Sequence, residues 1–563
     1  MKKLIIRITL GLVLTGVLVA CSEEFLNIAP QASLDEGTLA NTDGVEASLI
    51  SAYSMLDGWN ADWGQYSPPW PTAGSNWIWG SVTSDDAYKG SEPGDQGEIT
   101  QLELFQWSPG NTYFEGKFKA LYEGISRSNA TQKLANKAED LDTDTKARIE
   151  GELRFLRGHF HFEAWKMWGN VPYYTEADED FRKPNTEDIT PNIQADFQAA
   201  IDNLPVDQPQ VGRATKGSAQ AYMGKLLLYK GDYSGAKANL DQVVASGKYS
   251  LQDCFHDVFT TGGENGTEMI FSIQASVNDG TSEGQNGNFA DRLNFPHGGS
   301  PFGCCGFHQP SQNLVNAHRV DASGLPLLDD FNNADLDSAE TTDPRLDWTV
   351  GRDNVPYLDW GNHGPTWIRA RAWAGPYSPK KFTHGNGQES SVGWSNIQLS
   401  PVNIPIIRYA DVLLMLAECE VELNNLERAR ELVNMVRMRA SNCAQGGNDG
   451  SAVPIDDASI TWANYDVQAY NDTWSDQAVA RKAVRMERRI ELALEGHRFF
   501  DLRRWGTAKE VLNAYFAVEE TKRTYMTATT GYEDRHDLMP IPTVQIELSK
   551  VNGTAQLTQN PGY

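Results

Sequence analysis

The chain has 563 residues, and 40% of them are hydrophobic, which is typical of a globular protein. Its formal net charge is −27, from 48 Lys and Arg against 75 Asp and Glu. Because such a charge repels nucleic acids and anionic lipid surfaces, the composition argues against DNA or RNA as a partner.

The first residues have the pattern of a lipoprotein signal peptide. Lys2, Lys3 and Arg7 precede a mainly apolar run over 8–20 that is too short to span a bilayer comfortably. Small residues end this run before Cys21, as a lipoprotein signal peptidase requires. We therefore predict cleavage after residue 20, acylation of Cys21 and a lipidated tether over 21–40. The alternative is an ordinary signal peptide with a chance cysteine at the cleavage site.

Helical periodicity is clear in three later stretches. Residues 219–229 and 236–244 form one predicted hairpin, and 408–423 with 429–436 form another. Each has a small-residue turn, as in tetratricopeptide-like repeats. The third helix, 145–168, is apolar on all sides and is predicted to be buried. The predicted fold is therefore mainly α, a tetratricopeptide-like helical-hairpin scaffold.

Between residues 251 and 405 the periodicity disappears, and Gly, Pro, Asn, Asp and Trp dominate, with short β-like pieces such as 269–274. We predict a large, irregular, loop-rich insertion with short strands that carries function, because compact domains seldom contain such loops otherwise. The predicted divisions are an N-terminal scaffold over 41–250 with a Trp-rich loop at 57–110, the insertion, a C-terminal scaffold over 406–512 and a C-terminal segment over 513–563.

The cysteines and histidines have no metal-ligand spacing, so no metal site and no cofactor are predicted. Apart from Cys21 there are five cysteines, an odd number from which no disulfide framework can be read. Cys419 lies on an apolar helix face and is predicted to be in the core. Adjacent Cys304 and Cys305 could form a vicinal disulfide or be two small residues. His159 and His161 lack a third ligand and are expected to be structural.

Enzymatic activity is not predicted. A glycoside hydrolase needs two carboxylates a few ångströms apart, and the pairs Asp85-Asp86 and Asp329-Asp330 are candidates. Adjacent loop side chains usually diverge, however, and a chain with 75 acidic residues contains such pairs by chance. The nucleophile motif G-x-S-x-G of lipases and esterases is absent. A surface hydrolase remains an alternative, as does a purely structural envelope protein.

Six separated segments resemble the SusD/RagB family and extend over nearly the whole mature chain. They are the lipidated start at Cys21, YEGISRSN at 122–129, ELRFLR with WGNVP at 152–157 and 168–172, GRATK at 212–216, IRYAD with AE at 407–411 and 417–418, and the charged run from Glu487 to Trp505. The chain also ends as the family does, in Pro540-Ile541-Pro542 and Gln559-Asn560-Pro561-Gly562-Tyr563. Mixed charges at helical spacing within these motifs predict buried Arg–carboxylate pairs.

The resemblance implies a glycan-binding lipoprotein of the outer membrane, lipid-anchored and exposed on the cell surface, which delivers carbohydrate to a SusC-like TonB-dependent barrel. It implies no reaction. It also implies that the insertion carries the ligand site. A neutral polysaccharide or oligosaccharide is favoured by the acidic chain, with peptides or uronic-acid polymers as alternatives.

Tryptophan is concentrated outside the predicted helices, which a purely structural role does not explain. Of the 16 tryptophans, five lie at 59–79 and five in the insertion. Buried satellite clusters are one explanation, and sugar stacking is the other. We predict that two loops converge to form a ligand face from Trp77, Trp79, Trp360, Trp367, Trp373 and Trp394. Nearby hydrogen-bonding partners are expected among Asn76, Asp85, Asn362, His363, Arg369 and Arg371.

Overall fold

The computed structural model describes residues 36–58 and 69–563. The predicted signal peptide, the acylation site Cys21 and most of the predicted tether lie outside these residues, as do Trp59 and Trp63. No helix in the described ranges is both long enough and apolar enough to cross a membrane.

Helices dominate the described part of the chain. They are α1 (Glu36–Leu39), α2 (Thr42–Tyr53), α3 (Gly97–Glu103), α4 (Thr112–Lys137), α5 (Thr143–Trp168), α6 (Thr190–Asn203), α7 (Lys216–Tyr229), α8 (Tyr233–Ala245), α9 (Gln312–Ala317), α10 (Arg345–Thr349), α11 (Arg371–Ala374), α12 (Tyr409–Glu422), α13 (Leu426–Ala440), α14 (Gln477–Glu491), α15 (Arg498–Arg504), α16 (Ala508–Glu519) and α17 (Thr543–Leu548).

The scaffold is a stack in which each long helix packs on the next. In order of contact, α4 packs on α5, α5 on α6, α6 on α7, α7 on α8 and α8 on α12. Helix α12 also contacts α13 and α14. Side-chain caps begin several of these helices; Asp142 accepts from the backbone of α5, and Thr215 forms a capping box with Ser218 at α7. Small residues allow close approach, since a Cβ on Gly158 would lie 2.8 Å from the Phe197 ring. The predicted tetratricopeptide-like fold is confirmed.

The strands are short and occur in pairs. They are β1 (Ala87–Gly90), β2 (Met269–Ile273), β3 (Phe307–Pro310), β4 (Thr341–Thr342), β5 (Val350–Gly351), β6 (Ser378–Pro379), β7 (Ile404–Arg408), β8 (Ala444–Gln445), β9 (Ala452–Val453) and β10 (Asn464–Tyr465). Antiparallel β2 and β7 join the two ends of the predicted insertion, with Met269 opposite Arg408 and Ile273 opposite Ile404. Antiparallel β1 and β3 attach the predicted Trp-rich loop, 57–110, to the insertion.

Two disulfides occur in the described residues. Cys254 is bonded to Cys443, a pairing that the sequence did not predict, and it joins the start of the insertion to the residues after α13. Cys304 and Cys305 form the vicinal disulfide that was one of the two alternatives. Cys419 is fully buried in α12, as predicted. His159 and His161 are also buried and bond to Tyr222 and to the Arg157 carbonyl oxygen.

Buried ion pairs connect the helices at the centre of the molecule. Glu491 of α14 accepts from Arg345, Arg408 and Arg439, while Glu487 accepts from Arg345 and Arg437. Asp411 and Asp501 share Arg488. The prediction that the charged motif residues form Arg–carboxylate pairs between neighbouring helices is therefore confirmed.

Candidate ligand-binding site

The Trp-rich region and the insertion meet at Arg292. The Arg292 guanidinium carbon lies 3.8 Å from the ring centroid of Phe289, 4.5 Å from that of Trp394 and 5.7 Å from that of Trp70. Arg292 Nη1 also donates to the Trp394 carbonyl oxygen at 2.9 Å. A guanidinium surrounded by aromatic rings is a stable arrangement, because each ring face attracts the cation. We call these four residues the Arg292 cluster.

Trp394 is the exposed member of the Arg292 cluster. Half of its surface, 50%, faces solvent, whereas Arg292, Phe289 and Trp70 are buried. Burial lowers the pKa of Arg292 to about 10, although Glu283 opposes this effect, so the guanidinium remains charged at neutral pH. The cluster therefore presents one indole ring, backed by a cation, at the surface of the insertion.

Two loops of the insertion hold Trp394 in place. The Asn278 side-chain oxygen accepts from the backbone and hydroxyl of Ser391, and its Nδ2 donates to the Glu389 carbonyl oxygen. Asp279 accepts from Ser276, Thr281 and Asn286, and these hydrogen bonds hold the pKa of Asp279 well below its usual range. These bonds, and the close approach of Gly393 to the Glu283 carbonyl oxygen, fix the segment that leads into Trp394.

A small cavity is lined by Asn288, Asp291 and Asn294, which are sequence neighbours of Phe289 and Arg292, and by Trp77. Its volume is about 30 Å³, enough for one or two water molecules. Six lining atoms have no hydrogen-bond partner among the described residues, and they include both acceptors and donors. They are Asn288 Oδ1, Asp291 Oδ2, Asn294 Oδ1, Trp77 Nε1, His308 Nε2 and Gln398 Nε2. This mixture suits water, which both donates and accepts, better than a cation.

Trp77 and Trp79 lie in the main core, with 0% and 1% of their surfaces exposed. They belong to a π-helical segment, Trp77–Val82, rather than to the predicted loop. Gly80 explains the burial, since a Cβ on it would lie 1.8 Å from the Gly496 carbonyl oxygen. The segment is thus packed directly against the start of α15, and neither indole presents a face to a ligand in this structure. Trp70, which was not among the predicted ligand residues, reaches the cluster instead.

The other predicted tryptophans fall in separate groups. Trp360 and Trp367 belong to a satellite core with Phe302 and Tyr357, and Trp367 is 7% exposed. Trp373 stacks on Tyr525, with ring centroids 3.8 Å apart. The ring contacts of the described residues therefore do not bring the six predicted tryptophans together as one face.

Three of the predicted polar residues, Arg369, Arg371 and His363, have structural partners, whereas Asn362 forms a backbone bridge with Pro356. Arg369 pairs with Glu92 and Asp95, and Arg371 pairs with Asp353, which also bonds His363. These pairs hold the insertion in position.

Asp85 and Asn76 are also held by internal contacts. Arg498 binds the two oxygens of Asp85 at 2.7 and 2.9 Å, and Arg489 adds a contact at 3.1 Å. Burial raises the pKa of Asp85, but the two arginines outweigh it and lower the pKa to about 2. Asn76 donates to Glu163 at 2.9 Å. Asp85 and Asp86 are therefore ion-pair partners of arginine rather than a pair of carboxylates facing a substrate.

Metal ligands are not clustered in the described ranges, where no group of three or more His, Cys, Asp or Glu side chains could hold an ion.

Comparison with known proteins identifies the family. The sequence model described as SusD family matches residues 267–563, more than half of the chain. The chain belongs to the SusD family. A second family model, described as starch-binding associating with outer membrane, matches residues 69–228. The two matches include β2, β7 and every member of the Arg292 cluster, and they confirm the resemblance seen in the motifs.

Relatives of this SusD family chain cover most of its length. A SusD-like protein, P25, of Formosa agariphila is 25% identical over 469 residues, with 79% of each chain covered. A SusD-like protein structure from Bacteroides fragilis has a TM-score of 0.69 at 20% identity, covering 94% of this chain and 99% of its own. Surface glycan-binding protein A from Bacteroides thetaiotaomicron, in complex with laminarihexaose, has a TM-score of 0.66 at 19% identity, covering 92% and 99%.

Proposed function

We propose that this chain binds an oligosaccharide or polysaccharide outside the cell, with Trp394 as the stacking surface, and delivers it to a SusC-like TonB-dependent barrel. The observation that carries the proposal is the half-exposed Trp394 indole supported by Arg292. A pyranose presents an apolar C–H face, which packs on an indole, while nearby polar side chains bond its hydroxyls. The laminarihexaose complex of a structural neighbour supports the class of ligand.

A neutral glycan is the preferred ligand at the Arg292 cluster. The formal net charge of −27 repels polyanions at long range. Arg292 is buried beneath rings rather than presented to solvent, so it strengthens the stacking surface more than it offers a site for a carboxylate. Uronic-acid polymers and peptides remain the alternative ligands, and binding measurements distinguish them.

Replacing Trp394 tests the proposal. Trp394→Ala should weaken binding of the cognate glycan about tenfold or more, because loss of one stacked ring costs roughly 1–3 kcal/mol. Isothermal titration calorimetry after a glycan-array screen measures the change, and circular dichroism checks the fold. Phe181→Ala is the matched control, since Phe181 is a 67% exposed aromatic residue outside the insertion. Equal affinity of Trp394→Ala and wild type would disprove the site.

We also propose that a lipid on Cys21 anchors the chain in the outer membrane beside the barrel. Exposed apolar side chains on the scaffold, such as Met435 and Met438 of α13 and Val479 of α14, support a helical surface that contacts a protein. Cys21→Ala should yield a folded protein that leaves the membrane fraction in cells lacking the barrel. Wild type should co-purify with a TonB-dependent barrel in mild detergent. Retention of Cys21→Ala in the membranes would contradict the anchor, and absence of any barrel would contradict delivery.

A further inference from the structure

A second groove lies away from the Arg292 cluster, between α14, α15, α16 and residues 328–333. Its volume is about 550 Å³, which is large enough for one or two sugar rings. Arg485, Trp505, Phe331 and Tyr515 line it, so it combines aromatic surface with positive charge. We call it the Arg485 groove.

Arg485 is the distinctive residue of the groove. It is half-buried, and no hydrogen bond or ion pair joins it to another described residue; its guanidinium instead lies 4.6 Å from the centroid of the Trp505 ring. Its Nε is buried without a partner. A partly buried guanidinium that lacks an anion is costly, because its five donors favour bidentate pairing with an oxyanion.

The two carboxylates that act on Arg485, Glu418 and Glu422, are already held by other arginines. Arg504 binds both oxygens of Glu418, and Glu418 Oε1 also accepts from Trp505 Nε1. Arg481 binds both oxygens of Glu422 at 2.6 and 2.8 Å. Within the groove, Arg489 and Arg498 are engaged with Asp85, and Lys482 with Asp329. Among the cations that line the groove, Arg485 is therefore the one without an ion pair to a described residue, and it is available to a ligand.

Aromatic rings form much of the remaining groove lining. Phe331 and Trp505 line it together with Tyr515, whose hydroxyl is buried beside Glu519 and Tyr88. The groove thus offers a cation for a carboxylate and an aromatic surface for the apolar face of a sugar ring.

We infer that the Arg485 groove binds a carboxylate-bearing sugar residue, with Arg485 as the bidentate partner of the carboxylate and the aromatic lining against the sugar ring. This inference rests on the proposed glycan-binding function, but it concerns a site separate from Trp394. It assigns uronic-acid residues to the groove and neutral residues to the Arg292 cluster.

Calorimetry with tetragalacturonate and with laminarihexaose tests the inference. Arg485→Gln removes the charge and should weaken tetragalacturonate binding about tenfold to a hundredfold, as loss of a charged hydrogen-bonded pair does. Arg485→Lys should give an intermediate affinity, because lysine keeps the positive charge but lacks the paired N–H donors that bind a carboxylate through both oxygens. Glu510→Gln removes an acidic side chain from the groove lining and should strengthen binding. Arg428→Gln, an exposed arginine of α13, is the matched control and should change nothing.

The outcomes separate the two proposals. If wild type binds laminarihexaose but Arg485→Gln binds tetragalacturonate as wild type does, the groove assignment fails while glycan binding stands. If wild type binds laminarihexaose and not tetragalacturonate, the assignment fails again. If wild type binds tetragalacturonate and Trp394→Ala alone abolishes this, the carboxylate belongs to the Arg292 cluster and the groove is disproved. If an array of neutral and acidic glycans gives no binding, both proposals fail together.

Discussion

Asp291 is a buried carboxyl group with incomplete hydrogen bonding. Its Oδ1 accepts from the Ser75 hydroxyl, whereas its Oδ2 has no partner among the described residues. Burial raises the pKa of Asp291 to about 7, and the Ser75 hydrogen bond and Lys117 only partly offset that effect. The folded protein therefore binds more protons at Asp291 than the unfolded chain does between pH 4 and pH 7. Over that interval, the contribution of Asp291 to stability falls as pH rises.

Asp291→Asn should stabilise the protein at and above pH 7, because an amide fills the same space without a charge. Its advantage should shrink as pH falls and vanish below about pH 4, where the carboxyl is protonated in both states. Thermal unfolding midpoints between pH 4 and pH 8 measure the difference. Asp279→Asn is the opposite control: the pKa of Asp279 is lowered, so its replacement should destabilise above pH 4. A pH-independent effect of Asp291→Asn would contradict the buried ionisation.

Single-residue environments were the least predictable feature of this sequence. Trp77 and Trp79 stand among Gly, Pro and Ser, a composition typical of a loop, but a contact with Gly496 far along the chain makes them core residues. A contact between residues so far apart in the chain cannot be inferred from the residues that surround Trp77 and Trp79 in the sequence. The convergence of the Trp-rich region with the insertion was predicted, but the residue that joins them, Arg292, could not be distinguished from other arginines in the sequence.

At the scale of elements, the disulfide between Cys254 and Cys443 closes a loop that contains almost the whole insertion. Cys254 precedes a 3₁₀ turn, Phe255–Phe259, and Cys443 follows α13, with a sequence separation of 189. A cross-link over so long a loop removes much conformational freedom from the unfolded chain. The insertion is thereby fastened to the scaffold by a covalent bond as well as by β2 and β7.

Replacing both cysteines with serine should destabilise the protein by about 5 kcal/mol, the loop-closure value for a loop of this length. Urea unfolding of the Cys254→Ser/Cys443→Ser protein measures the loss. The vicinal disulfide provides an internal control, because a reductant can still reduce Cys304–Cys305 in the double variant. A reductant should destabilise wild type far more than the double variant. Equal sensitivity of the two proteins would assign the effect to the vicinal pair instead.

Helices were more predictable than the covalent link. The periodicity of residues 219–244 and 408–436 matches α7, α8, α12 and α13, because an amphipathic helix repeats its buried positions every three or four residues. A disulfide between cysteines 189 residues apart has no such local period, and the odd cysteine count concealed it.

At the scale of the whole molecule, Glu491 joins three parts of the chain. Arg345 comes from the insertion, Arg408 from β7 and Arg439 from α13, and all three donate to the Glu491 carboxylate in the interior. Burial raises the pKa of Glu491, but the three arginines outweigh it and hold the pKa well below its usual range. The charge types and spacing predicted such pairs, but the choice of partners depends on how the separate segments pack together.

Glu491→Gln should destabilise the protein by about 3–5 kcal/mol at pH 7, because it leaves three buried guanidinium groups without their shared anion. Since the folded pKa of Glu491 is depressed, its stabilising effect is complete above the unfolded value and is lost as pH falls below it. The loss in free energy of unfolding caused by Glu491→Gln should therefore be largest near neutral pH and smaller in acid. Urea unfolding at pH 7 and at several lower pH values measures both trends.

The matched control for this network is Glu431→Gln on the exposed side of α13. Glu431 forms a surface pair with Arg428, and such a pair contributes about 0–1 kcal/mol.

If Glu491 connects the insertion to the scaffold, Glu491→Gln should also make both unfold together at a lower urea concentration, because the arginines come from both. Indole fluorescence, to which the five tryptophans of the insertion contribute, and far-ultraviolet circular dichroism, which follows the helices, should then give the same unfolding midpoint. Unfolding of Glu491→Gln at the urea concentration of the Glu431→Gln control would show that the network does not carry this stability.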